Sequence, residues 1–364
     1  MSSTLRSATR NSGHTPTSMQ RGPLRTALAF DEPPPYRADV NRRRFLLASL
    51  TVVASPHSAS AQQASKQWRI GWLSPPSAST GASELDALRH GLRALDYVEG
   101  RNIRIEARWA DGDPARLPEL ARALVRLKVD VICTAGTPAT FAAKQATATV
   151  QIVFGRAAFP VETGLVTSLT RPGGNLTGVA FIGPEYGKRL ELLREVTPKM
   201  SRVAVLYNDE NSASVLAMDE TQVWAKNLQI TIDRLGVHDG ASLETAFADV
   251  RRGRADAFMT TADPLIASYR TRIVQFATER RLVAMYGDRE YVMTGGLMFY
   301  GTSTTEMWRH AAIYVDRILK GAKPGDLPVE QPMKFELVIN LRTAKTLGLT
   351  IPPSLLVRAD QLIE

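Results

Sequence analysis

From Arg69 onward, short apolar runs alternate with helical patterns. Arg69-Ile70-Gly71-Trp72-Leu73 comes first, then Leu85, Leu88, Leu92 and Leu95 at spacings of three and four. The first reads as a strand, the second as the buried stripe of a helix. Ile103 to Glu106 alternates apolar and polar, as at a sheet edge. Leu117, Leu120, Ala121 and Leu124 predict a second helix, Val129 to Cys133 a third strand, Thr137 to Ala148 a third helix, and Ile152 to Phe154 a fourth strand. The rhythm then returns. Val203–Tyr207, Gln229–Ile232, Ala257–Met259 and Leu282–Met285 read as strands, with helices around Ser212–Lys226, Leu243–Arg251 and Leu265–Arg281. Spacings of about 25–30 residues between strand starts are those of strand–helix–strand units. The pattern predicts an α/β chain with two doubly wound parallel sheets.

Glycine and proline punctuate the pattern at Arg171–Gly178, Thr294–Gly301 and Lys323–Pro328. The first lies between the two strand sets and the others follow the second. Three crossings of this kind would join two sheets through a multi-strand hinge.

The N-terminal part has another character. Residues 1–40 are rich in Ser, Thr, Pro and Arg without apolar periodicity, the composition of a disordered extension. Arg42-Arg43-Arg44 then precedes an apolar run, Phe45–Ala54, and Ser58-Ala59-Ser60-Ala61 follows as a small-x-small cleavage site. Residues 41–61 thus have the layout of an export signal of twin-arginine type, with an apolar run too short for a bilayer that needs roughly 20 residues. Such signals normally begin a chain, so translation is expected to start near Val40; peptides from before Asn41 in the precursor would overturn that. The expected location is the periplasm, with no membrane insertion once the signal is removed.

Charge follows the same division. The first 61 residues hold eight Arg and three acidic residues, leaving 37 basic and 33 acidic residues beyond them. That balance gives no reason to expect nucleic acid as a partner. The single cysteine, Cys133, excludes an internal disulfide and reads as a small core thiol.

Familiar catalytic patterns do not occur. Leu73-Ser74-Pro75-Pro76 follows the first strand where a dinucleotide site has Gly-x-Gly-x-x-Gly, and neither a phosphate loop nor a Gly-x-Ser-x-Gly elbow is present. His14, His57, His90, His238 and His310 have no metal-ligand spacing. No catalytic residue, metal or cofactor is expected. In parallel sheets, ligands bind beyond the carboxyl ends of the strands. The residues standing there are Ser74, Thr137, Pro138, Phe159, Asn208, Asp263 and Asp288, the candidate ligand-binding set. Polar members can hydrogen-bond a small molecule, helix starts suit a carboxylate, and Asp263 or Asp288 suits an ammonium. Thr137 and Asp263 also precede proline as ordinary N-caps do, and Glu185–Glu191 reads as a solvated helix face.

Several segments together carry a resemblance: Gly91-Leu92-Arg93 with Tyr97–Asn102, Thr137-Pro138-Ala139, Gly164–Leu169 with Arg171–Gly178, Lys188–Leu193, Ala262-Asp263-Pro264, Gly295–Met298 with Tyr300-Gly301, Tyr314–Gly321, and Phe335–Leu341 with Ala344-Lys345. Over Trp68–Glu364 the chain resembles the tryptophan/tyrosine-type substrate-binding proteins of ABC importers. The resemblance implies a type I periplasmic-binding fold whose lobes close over a small molecule for delivery to an inner-membrane permease. Residues 68–178 with about 297–328 are expected to form one lobe, and 179–296 with about 329–364 the other, in a monomer. It also implies that Thr137, Pro138, Asn208, Asp263 and the loop at Asp288 face the cleft. Where many relatives have small-Asp-Pro, this chain has Ala158-Phe159-Pro160, with Arg156 nearby. That departure suits an aromatic or carboxylate-bearing ligand. Two rivals remain: a sugar-repressor-type sensor of the same fold, which needs a helix-turn-helix where the export signal stands, and an exported α/β enzyme, which needs a catalytic group such as His90 or His310 in the cleft.

Overall fold

The computed structural model describes residues 66–181, 185–331 and 334–364; the extension over residues 1–40 and the signal at 41–61 lie outside the described residues. The first half runs β1 (Trp68–Ser74), α1 (Ala78–Arg93), β2 (Ile103–Trp109), α2 (Leu117–Arg126), β3 (Val131–Thr134), α3 (Gly136–Ala146), β4 (Gln151–Ala158) and β5 (Leu176–Phe181). Its five strands are parallel in the order β2-β1-β3-β4-β5, with the alternating β2 at an edge.

The second half runs α4 (Glu185–Val196), β6 (Arg202–Tyr207), α5 (Ser212–Asn227), β7 (Thr231–Gly236), α6 (Gly240–Arg252), β8 (Ala257–Thr260), α7 (Pro264–Ser268), α8 (Arg270–Glu279), β9 (Val283–Tyr286), α9 (Arg289–Met293) and β10 (Met298–Thr302). After α10 (Thr304–Leu319) come β11 (Phe335–Asn340), α11 (Leu341–Leu347), α12 (Pro353–Arg358) and β12 (Gln361–Ile363). The second sheet has the order β12-β11-β10-β9-β8-β6-β7. It is parallel except for β10 against β11.

Both sheets are covered on two faces, which explains the continuous apolar runs. In β3, Val131 and Cys133 join the core under α1 and α10, whereas Ile132 joins the core under α2 and α3. Cys133 is buried, and loss of hydration raises its thiol pKa to about 12. In β6, Val203 and Val205 face one core and Ala204 and Leu206 the other.

Several expected boundaries shift. Residue 229 does not begin a strand: α5 runs to Asn227 and Gln229 turns at φ 56°, so β7 starts at Thr231. The helix expected over 265–281 breaks at Tyr269 into α7 and α8. The lobe boundaries move as well. β5 stays in the first sheet through Phe181, and β10 lies in the second, although residues from about 297 were expected in the first lobe. The buried Met298 and Phe299 give the Gly-rich passage a strand's core contacts. The chain returns to the first lobe from α10 to Glu330; Thr177 of β5 donates to the Leu327 carbonyl at 2.8 Å, and α10 packs on α1 so closely that a Cβ on Gly91 would lie 2.7 Å from that of Ala312. The chain therefore crosses between sheets after Phe181, after Thr302 and after Glu330, which bridges to Val179 of β5.

Glu185 and Arg189, expected on a solvated face, are buried at 2% and 0% exposure. The first crossing presses the start of α4 between the lobes. Tyr186 joins the first lobe's core, and Arg189 Nε donates to the Tyr300 carbonyl at 2.7 Å. Burial raises the Glu185 pKa, and Arg189 partly opposes the rise.

Candidate functional site

The two lobes face each other across a cleft of about 1000 Å³, open solvent at its mouth included. Four helices of eight residues or more begin at its wall: α1, α3 and α10 from the first lobe and α5 from the second. Helix starts carry unpaired N–H groups and a partial positive charge. The N-cap residues Ser77, Ala135 and Ser303 supply no side-chain cap to α1, α3 and α10; Asn211 caps α5 through the Ala213 N–H.

Arg156 stands at the centre. Its Nη1 donates to Glu84 of α1 at 2.5 Å, and its Nη2 donates to Asp288, before α9, at 2.8 Å. All three side chains are mostly buried. Burial alone would lower the arginine pKa, but the two carboxylates hold it above its ordinary value. Burial raises the Glu84 pKa, an effect that Arg156 opposes and Asp288 reinforces. The local sequence explains the position. The register of β4 against β5 shifts between Phe154 and Ala157, and such irregularities re-aim side chains at sites. Gly178 has φ 151°, and a Cβ there would lie 2.0 Å from the Phe154 oxygen, so this close approach needs glycine.

Other charges surround this trio. Arg289 donates to Glu336 Oε2 at 3.2 Å, leaving Glu336 Oε1 buried and without a partner among the described residues. Arg270 lines the cleft and forms no ion pair among the described residues. Elsewhere the wall is mainly Ala, Gly, Pro, Ser and Thr.

Of the residues singled out in the sequence, Thr137 and Asp288 line this cleft. Thr137 Oγ1 also accepts from the Ala158 N–H at 3.0 Å, fixing the start of α3 against the end of β4. The other five do not line it. Asp263 accepts from Asn208, from Asn211 at 2.7 Å, and from the Leu265 and Ile266 N–H groups. Capping α7 thus occupies the carboxylate, and Asn208 serves it rather than facing the opening. Burial raises the Asp263 pKa, against the pull of those hydrogen bonds. Ser74 is fully buried and Pro138 lies outside the wall. Phe159 packs into the first lobe's core, its ring 6.5 Å from that of Tyr186 at 13°. His310 pairs with Glu330 at 3.2 Å on the surface, and neither it nor His90 lines the cleft. Among the described residues, no cluster of His, Cys, Asp and Glu is suited to a metal ion.

Sequence reasoning missed Glu84 and Arg270, which belong to no motif it singled out. Arg156 stood out as a residue just after the expected fourth strand and beside the Ala158-Phe159-Pro160 departure.

Residues 78–363 match the family described as ABC transporter substrate binding protein. A tyrosine-binding protein of Clostridioides difficile (strain R20291) is 29% identical over 269 residues, 73% of this chain and 77% of the relative. A Streptococcus pneumonia ABC domain, solved in complex with L-Trp, is 26% identical with a TM-score of 0.77, covering 82% of this chain and 100% of that one. A conserved domain protein of Vibrio cholerae is 28% identical with the same TM-score and coverage.

Proposed function

This chain belongs to the ABC transporter substrate binding protein family, and from that premise we propose that its lobes close by hinge motion over a small carboxylate-bearing solute and present it to a membrane permease. The observation that carries the reading is the composition of the cleft wall. The uncapped starts of α1, α3 and α10 face charged residues of the opposite lobe, including Arg270 and Asp288. Helix starts suit the carboxylate. The free Glu336 oxygen suits a donor such as an ammonium or hydroxyl group. Three crossings between the sheets supply the hinge.

In this reading Thr137 and Asp288 touch the solute, and no covalent bond is made or broken. The protein acts as a monomer in the periplasm after removal of the signal near Ala61. No helix among the described residues is long and apolar enough to cross a membrane. The names of the relatives put amino acids first among the solutes to test.

The direct test is native mass spectrometry of the mature protein purified from its host, followed by extraction and identification of whatever is bound. A stoichiometric solute of low mass is expected. A protein that carries none, and binds none from a library of amino acids and organic acids by calorimetry, would overturn the reading.

A further inference from the structure

Two of the relatives carry tyrosine or L-Trp in their names, yet this cleft is built differently from an aromatic pocket. Among the described residues, no aromatic side chain lines it. Phe159, the aromatic group nearest in sequence to the strand end, is turned into the core against Tyr186. Its backbone has φ 48°, part of the turn that directs it there.

What lines the cleft instead is charge and small residues. Seven ionisable side chains lie on the wall, so a ring entering between the lobes would meet carboxylates and guanidinium groups on both sides. Aromatic solutes gain most from apolar and aromatic faces. Placing a ring against Glu84, Arg156 and Asp288 would strip their remaining water and return no hydrogen bond. Arg156 cannot easily turn aside, because Glu84 holds one end of its guanidinium and Asp288 the other.

The same wall favours a small anion. Arg270 is a cation without a carboxylate partner among the described residues, and the starts of α3 and α10 add N–H donors. Ala135, Ala158 and Ala262 offer a solute only single methyl groups.

We infer that the solute is a small aliphatic carboxylate or amino acid, and that the Glu84–Arg156–Asp288 cluster excludes aromatic ones. This rests on the solute-binding reading above and narrows its ligand.

The test is calorimetric titration of the mature wild-type protein, stripped of bound solute by unfolding and refolding, with L-alanine, L-serine, L-glutamate, succinate, L-tyrosine and L-tryptophan. At least one of the first four should bind about tenfold or more tighter than either aromatic amino acid. Arg270→Gln should weaken that binding by about tenfold, with the melting temperature showing that the variant is folded. Tighter binding of L-tyrosine or L-tryptophan would overturn the inference while leaving the solute-binding reading intact. Binding of none of the first four would overturn it too, and the mass-spectrometric search then decides the broader reading separately. An unchanged affinity in folded Arg270→Gln would refute the anion's proposed contact.

Discussion

Arg156 of β4 and Asp288 before α9 meet at 2.8 Å, although 132 residues separate them in the chain. Among the described residues this is the one ion pair that joins the two lobes directly. It gives closure a contribution from the protein itself, separate from anything a solute adds. Asp288→Asn should therefore shift the balance toward open lobes. Arg156 keeps Glu84 as a partner, so the loss should fall below the 3–5 kcal/mol of a fully orphaned buried charge, at about 1–2 kcal/mol. Solution X-ray scattering should show a larger radius of gyration than for wild type, with a nearly unchanged melting temperature. Identical scattering from the two proteins would refute a closing role for the pair.

Gly136 supplies a second, steric contact across the cleft. Its φ is 83°, and a Cβ placed on it would come within 2.9 Å of Pro264 Cγ in the other lobe. Gly136→Ala has two costs. Left-handed backbone is worth roughly 1–2 kcal/mol against a residue with a Cβ and lowers stability modestly. The clash with Pro264 disappears if the lobes separate, so it acts on closure. We expect solute affinity to fall by about tenfold or more while the protein remains folded, as read by calorimetry and circular dichroism. Unchanged affinity would mean that the Gly136–Pro264 contact is not part of the bound state.

How much of this was legible in the sequence depends on range. The strand–helix rhythm and the residues at the strand ends rest on neighbours a few residues apart, and the fold class and two cleft residues, Thr137 and Asp288, followed from them. Glu84, Arg156 and Asp288 come from three distant segments, and no spacing rule links them. Asp263 and Thr137 look alike in sequence, each before a proline after a buried strand. They part only because two asparagines, Asn208 and Asn211, turn inward onto Asp263. The charges of α4 misled for a related reason. Glu185 and Arg189 have the spacing of an exposed pair, and only the first crossing between sheets covers them. The Gly-rich Thr294–Gly301 passage hid β10, because its partner β11 follows some forty residues later in antiparallel register.

Glu84 carries a pH dependence with a definite sign. Its pKa in the folded protein is raised, chiefly by burial, so the folded state holds this proton more tightly than the unfolded chain. Stability then falls as pH rises from the ordinary carboxylate range through the raised value. Glu84→Gln is neutral throughout and lacks this slope. The melting temperature of the variant minus that of wild type should become more favourable to the variant as pH increases across that window. Arg156 remains paired with Asp288 in the variant, which keeps the comparison close to a single group. A difference that stays flat with pH would show that Glu84 titrates normally.

Gly155 and Trp308 connect the core to this same cluster. A Cβ on Gly155 would lie 2.4 Å from Trp308 Cη2 and 2.5 Å from two more ring carbons. The ring cannot retreat freely, because Trp308 is fully buried and its centroid sits 4.5 Å from that of Trp72. Gly155→Ala must therefore move either α10, which carries Trp308, or the irregular stretch of β4 that aims Arg156. Overpacking of this kind costs about 1–3 kcal/mol, and this rigid neighbour puts the expected loss at the upper end. The near-ultraviolet circular dichroism of the tryptophans should change as well. A displaced β4 would also misplace the guanidinium, so solute affinity should fall more in Gly155→Ala than in a variant of equal stability loss far from the cleft, such as Phe247→Leu in the core under α6. Equal affinity in those two variants would mean that the packing of Trp308 on Gly155 supports the fold alone and does not hold Arg156 in place.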